Sequence, residues 1–191
     1  MPRTPSRLHP ALPALAIVIA AAVILLAMDR APICPCGRVA LWGPVGPTQS
    51  QMLADWYSFS HLVHGLLFYG ALYLAVPRWP VRNRFSLALM IEAGWEIVEN
   101  TPMMIDRYRD ATIALGYTGD SVLNSLSDIA MMAIGFLAAR RLPVWGSVAL
   151  LVVLELIPLI AIRDNLALNI LMLVHPIDTV RAWQAGTGRL F

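Results

Sequence analysis

Runs of nearly 20 apolar residues recur along this 191-residue chain, and no other feature restricts its fold as strongly. A bilayer core roughly 30 Å thick is crossed by about 20 apolar helical residues, with about 17 as a working minimum. Inside hydrocarbon the backbone must satisfy its own hydrogen bonds, so each such run reads as a helix. Candidate spans fall at 11–28, 58–76, 85–104, 121–139 and 144–162. A further run at 166–177 is short for a crossing and reads as a sixth span, a re-entrant segment or an interfacial helix. The first run is long for a secretory h-region and lacks an A-x-A site, so an uncleaved anchor is expected. These runs predict an all-α, polytopic transmembrane helical bundle of five or six spans. Residues 1–10 form a cytoplasmic tail, 11–178 a single transmembrane domain and 179–191 a C-terminal tail.

Composition agrees: with 58% hydrophobic and 14% charged residues, the chain is too apolar for an ordinary soluble domain. All fourteen basic residues are arginines, and they are scattered rather than gathered into a stripe. That pattern argues against nucleic acid and leaves membrane lipids as the expected partner. With a cytoplasmic amino terminus, the inner segments hold Arg3, Arg7, Arg78, Arg82, Arg84, Arg140 and Arg141. The outer ones hold Arg30, Arg38, Arg107, Arg109 and Arg163, a bias in the direction of the positive-inside rule. The expected location is the inner cell membrane.

Polar residues interrupt the apolar runs in register. In IEAGWEIVENTPMM, Glu92, Glu96 and Glu99 are spaced four and three residues apart, which places their carboxylates on one helix face. His61 and His64, in DWYSFSHLVHG, share a face of the second span. Asp120, Asn124 and Asp128 do so on the fourth, and Glu155 lies on the fifth. At 1.5 Å per residue, most of these groups fall within about 5 to 13 Å of the outer face. An ionisable group facing lipid near the bilayer centre costs at least about 2.5 kcal/mol. The stripes are therefore expected to line one polar, outward-opening cavity.

Two imidazoles with facing carboxylates are the ligand supply of metal-binding helical bundles, although the pair here is H-x-x-H rather than E-x-x-H. His61, His64 and Glu92 are the candidate ligands of a divalent metal, with Glu96, Glu99 and Asp128 as candidate catalytic carboxylates. The competing view makes the histidines hydrogen-bonded caps, Asp120 the N-cap of its helix, and Asn124 an interhelical hydrogen bonder. Arg107, Arg109, Asn124 and Arg163 are candidate ligand-binding residues, the guanidiniums being suited to neutralise the glutamates or hold an anionic headgroup. Cys34 and Cys36, in ICPCG, read as a disulfide with a strained ring or as half of a metal site. No G-x-S-x-G elbow or P-loop occurs, which disfavours a serine hydrolase or a nucleotide-driven pump.

The segments ICPCGRVALWG, DWYSFSHLVHG, WEIVENTP, RYRDATIALGYTGDS and IRDNLALNI resemble an uncharacterised family of small bacterial multi-pass membrane proteins with a domain of unknown function. The resemblance spans about residues 30 to 185 and implies a multi-pass membrane location, with no activity or site assignment. A fainter likeness links the Asp120–Asn124–Asp128 stripe to VanZ-like membrane proteins. Two functions are carried forward. One is a metal-dependent hydrolase or lyase acting on a lipid or amphiphile. The other is a nonenzymatic lipid-headgroup or ion-binding, transport or assembly factor whose carboxylates pair with Arg107, Arg109 and Arg163.

Overall fold

A computed structural model describes residues 12–112, 114 and 116–186, and these form eight α-helices without a strand. The expected cytoplasmic tail, 1–10, lies outside the described residues, as do 187–191. The helices are α1 (Leu12–Ala27), α2 (Ser58–Ala75), α3 (Val81–Glu99), α4 (Pro102–Ala111), α5 (Val122–Arg141), α6 (Val144–Ile162), α7 (Leu166–Val174) and α8 (Asp178–Ala185).

Local chemistry sets the boundaries. Pro80, Pro102 and Pro143 stand at or just before the starts of α3, α4 and α6, where a missing N–H leaves no hydrogen bond unmade. The run expected at 85–104 is two helices rather than one. Thr101 is extended (φ −74°, ψ 150°) ahead of Pro102, and its hydroxyl accepts from Met104 N. A residue preceding proline is disfavoured in the α region, which explains the break. Ser121, not Asp120, caps α5, its hydroxyl accepting from Asn124 N at 3.2 Å.

The apolar run after residue 165 makes only the nine residues of α7, about 13 Å of helix, less than half of a bilayer core. Its start is held by Asn165, whose Oδ1 accepts from Leu168 N at 2.9 Å. Glu155 of α6 also accepts there, from Leu166 N and Ala167 N at 3.2 and 3.1 Å.

The central contact is between α2 and α5. Gly65 and Gly135 face each other across it: a methyl group on Gly65 would strike the Met132 carbonyl, and one on Gly135 the Leu62 carbonyl. Only glycine admits backbones this close, the small-residue device of membrane helix pairs. On one side α1 and α3 complete a core of Ala21, Ala88, Leu89, Ala93, Ile129, Met132 and Phe136. On the other, Leu154 of α6 packs with Val63 and Leu66 of α2 and Ala139 of α5.

Among the described residues, α5 and α6 are long and apolar enough to cross a membrane, and α1 is a shorter apolar helix. The finding is thus an all-helical fold with two such helices, against five or six expected spans. Helices α2 and α3 have 18 and 19 residues, but their polar stripes lower their apolar character.

Before α2 the chain makes a long loop stitched to the start of α5. Val122 N donates to Ala31 O, Ser121 N to Ser50 O, and the Asn124 side chain to Met52 O at 2.9 Å. Cys34 and Cys36 are disulfide-bonded within this loop, with Cα atoms 5.1 Å apart. The C-x-C pair therefore offers no thiolate to a metal.

Candidate functional site

The α2–α5 crossing fixes the site, because His61 lies one turn before Gly65 and Asp128 two turns before Gly135. Glu92 and Glu96, one turn apart on α3, close the third side. Both glutamates are completely buried and His61 is 6% exposed.

Glu92 is the hub. His61 Nδ1 lies 2.6 Å from its Oε1, and His64 Nδ1 lies 3.0 Å from its Oε2. Glu96 Oε1 stands 3.5 Å from His61 Nδ1, and Asp128 Oδ2 stands 3.8 Å from His61 Nε2. One ligand atom from each of His61, His64 and Glu92 can be chosen so that all lie within 4.8 Å of one another, and the same holds for His61, Glu96 and Glu99. Imidazole nitrogen with carboxylate oxygen suits zinc, manganese or iron.

Supporting groups orient the carboxylates. The Ser58 hydroxyl donates to Asp128 Oδ1 at 3.2 Å. Asp120 accepts from the Asn100 amide and the Tyr117 hydroxyl, both at 3.0 Å. Trp95 and Tyr108 line the cavity with Glu99. In the loop before α2, Asp55 accepts from the backbone N–H groups of Tyr57 and Ser58. Burial pushes its carboxyl from 3.8 up to about 7. Asp164, after α6, accepts from the Tyr57 hydroxyl at 2.9 Å, and burial raises it to about 6.

These groups edge a cavity of about 350 Å³. His61, His64, Glu92, Glu99, Asp120 and Asp128 supply its polar part. Leu67, Phe68, Ile91, Trp95, Ile170 and Leu173 give it apolar walls from α2, α3 and α7. A polar end joined to an apolar wall suits an amphiphile better than a fully hydrated solute.

Of the residues singled out from sequence, the structure gathers His61, His64, Glu92, Glu96, Glu99, Asp120, Asn124 and Asp128 at one end of the bundle. Asn124 spends its amide on Met52 O, so it secures the loop. Glu155 is a correction: from α6 its carboxylate accepts at the start of α7, outside the cavity lining.

The guanidiniums of the three candidate arginines bond elsewhere than to the glutamates. Arg107 donates to Leu173 O at the end of α7, and Arg109 to Tyr117 O and the exposed Asp106. Arg163 donates to Trp183 O and Gly186 O. Sequence reading missed Ser58, Tyr108, Tyr117 and Asn169 as members of the site. A lone asparagine in LALNILMLV was the available signal for Asn169, whose Oδ1 meets the Tyr108 hydroxyl at 3.4 Å.

Comparison with known proteins gives relatives without an assigned activity. Residues 25–186 match the family model described as protein of unknown function (DUF2585). A UPF0314 protein of Novosphingobium aromaticivorans is 54% identical, with 92% of each chain covered. One of Sphingopyxis alaskensis is 52% identical over 91% of this chain and 93% of its own. One of Paracoccus denitrificans is 51% identical over 89% of each. No solved structure matches. These matches lend no support to the VanZ-like likeness.

Proposed function

Because this chain belongs to the DUF2585 family, whose description names no activity, we propose a function from the geometry of its buried cluster. It is an inner-membrane protein that holds a divalent cation between His61, His64 and Glu92 and cleaves a lipid or other amphiphile, by hydrolysis or elimination, at the outer side. The observation that carries this reading is the Glu92 carboxylate, fully buried, with the Nδ1 atoms of two histidines 2.6 and 3.0 Å from its two oxygens. A cation entering there would replace hydrogen bonds by ligand bonds with little rearrangement.

The membrane assignment is supported by the exposed apolar faces of α1 and α6, including Leu15, Ile19, Val23, Val148, Val152 and Ile160. Side chains of this size left uncovered mark contact with lipid or another protein. We take α1, α2, α3, α5 and α6 as five crossings from a cytoplasmic amino terminus. The cluster then lies toward the outer face, beside α4 and α7.

A bound divalent ion supplies Lewis-acid polarisation of the scissile group. The chain supplies the rest. Were Nδ1 of His61 to hold the ion, its proton would reside on Nε2, facing Asp128, which would fix the ring in one tautomer. Asp128, held by Ser58, is placed to accept a proton at Oδ2. The apolar walls orient the tail of the guest, and Glu99 with Tyr108 stands at its polar end.

Elemental analysis of detergent-purified protein tests the reading. Wild type is expected to retain a divalent metal through dialysis, and the His61→Ala, His64→Ala double variant to lose it. Metal-free wild type, or unchanged metal in the double variant, would end the proposal.

A further inference from the structure

We infer that the cluster is built for two cations, the second held on the carboxylate side by Glu96 and Glu99 with Asp128 closing it, beside the His61 that serves the first. The inference rests on the metal reading above and adds a position to it.

Glu96 is the starting point. It is 0% exposed, and neither Oε1 nor Oε2 has a hydrogen-bond donor. A buried carboxylate without a partner costs several kcal/mol unless it meets a positive charge or a proton. The acids Asp128, Glu99, Asp120 and Glu92 surround it, and His61 Nδ1, 3.5 Å from Oε1, is the basic group beside it.

Arg84, on the same helix, is itself buried and lies against Tyr69 and Tyr73, at the opposite end of α3. Arg107, Arg109 and Arg163 are spent on backbone carbonyls. No arginine is therefore placed to balance the acids among the described residues.

One divalent ion between His61, His64 and Glu92 leaves Glu96, Glu99 and Asp128 uncovered. The geometry offers a place for another, because ligand atoms of His61, Glu96 and Glu99 lie within 4.8 Å of one another. This set meets the first at His61, whose ring serves the first position, so Glu96 and Glu99 are left to hold a neighbouring one, as in sites with two metals about 3.5–4 Å apart. Their donors differ. The first position is rich in imidazole, whereas the second is rich in carboxylate oxygen and favours a hard ion such as magnesium or manganese. Manganese suits both, which makes it the probe.

Purified full-length protein is stripped with chelator, loaded with manganese chloride and washed. Metal content and electron paramagnetic resonance are then measured. About two manganese ions per chain with a spin-coupled signal are expected from such spacing. Glu96→Gln, which keeps the side chain's shape, and the less buried Glu99→Gln are each expected to retain about one ion with an uncoupled signal. A thermal unfolding trace for both variants identifies any that fails to fold, and the folded one decides. A single manganese in wild type, unchanged in these variants, overturns the second position and leaves the first standing. Two uncoupled ions also overturn it. No manganese and no zinc uptake at all removes the first reading along with it.

Discussion

His61 shows how much one side chain can be asked to do: one ring nitrogen addresses Glu92 and Glu96 while the other faces Asp128. Buried carboxyls in the loops beside the site give the molecule a pH dependence. Asp55, 1% exposed and raised by burial from 3.8 to about 7, binds its proton more tightly in the folded chain than in the unfolded one. Its contribution is complete below about pH 4 and is lost as pH rises through about 7, a loss of up to ~4 kcal/mol. The thermal midpoint of wild type is expected to fall from about pH 5 to about pH 8. Asp55→Asn, which cannot ionise, is expected to flatten that slope. A remainder persists because Asp164, raised to about 6, acts in the same direction. An unchanged slope in Asp55→Asn would show that its carboxylate is not desolvated.

At the level of helices, the glutamate and histidine stripes were legible in the sequence because their spacing translates directly into a shared face. The arginine roles were not. IDRYRD puts acids beside Arg107 and Arg109, which suggested ion pairs, yet only an exposed Arg109–Asp106 contact of 3.4 Å forms. Arg107 instead satisfies a carbonyl at the end of α7, a group left open at every helix terminus. That pairing depends on tertiary placement, which local spacing does not encode. Helix α3 illustrates the converse: the carboxylates that reveal the site also lower its apolar character as a span. The α2–α5 contact gives a prediction at this scale. Gly65→Ala or Gly135→Ala must push backbone aside, and overpacking of this kind costs roughly 1–3 kcal/mol. Each variant is expected to lower the thermal midpoint and to weaken metal retention, because His61 and Asp128 separate with the helices. Gly70→Ala, where a methyl group meets nothing within 4 Å, is the matched control and should leave both unchanged.

For the whole molecule, the five-crossing arrangement makes a prediction about its ends. With the amino terminus inside, as proposed, and α7 too short to cross, the carboxyl terminus is expected outside. A carboxyl-terminal reporter active only beyond the inner membrane is expected to give signal, and one active only in the cytoplasm is not. The reverse result would require a further crossing. The hidden glycines of α2 and α5 bear on how such a protein opens. Imidazole and Asp128 ride on a pair of rods that interlock, whereas Glu92 and Glu96 ride on a third that does not share the lock. In the proposed reading, a gap that admits a guest past α3 would draw the glutamates away from the histidines, so admission of the guest and loosening of the ion would be geared to a single movement.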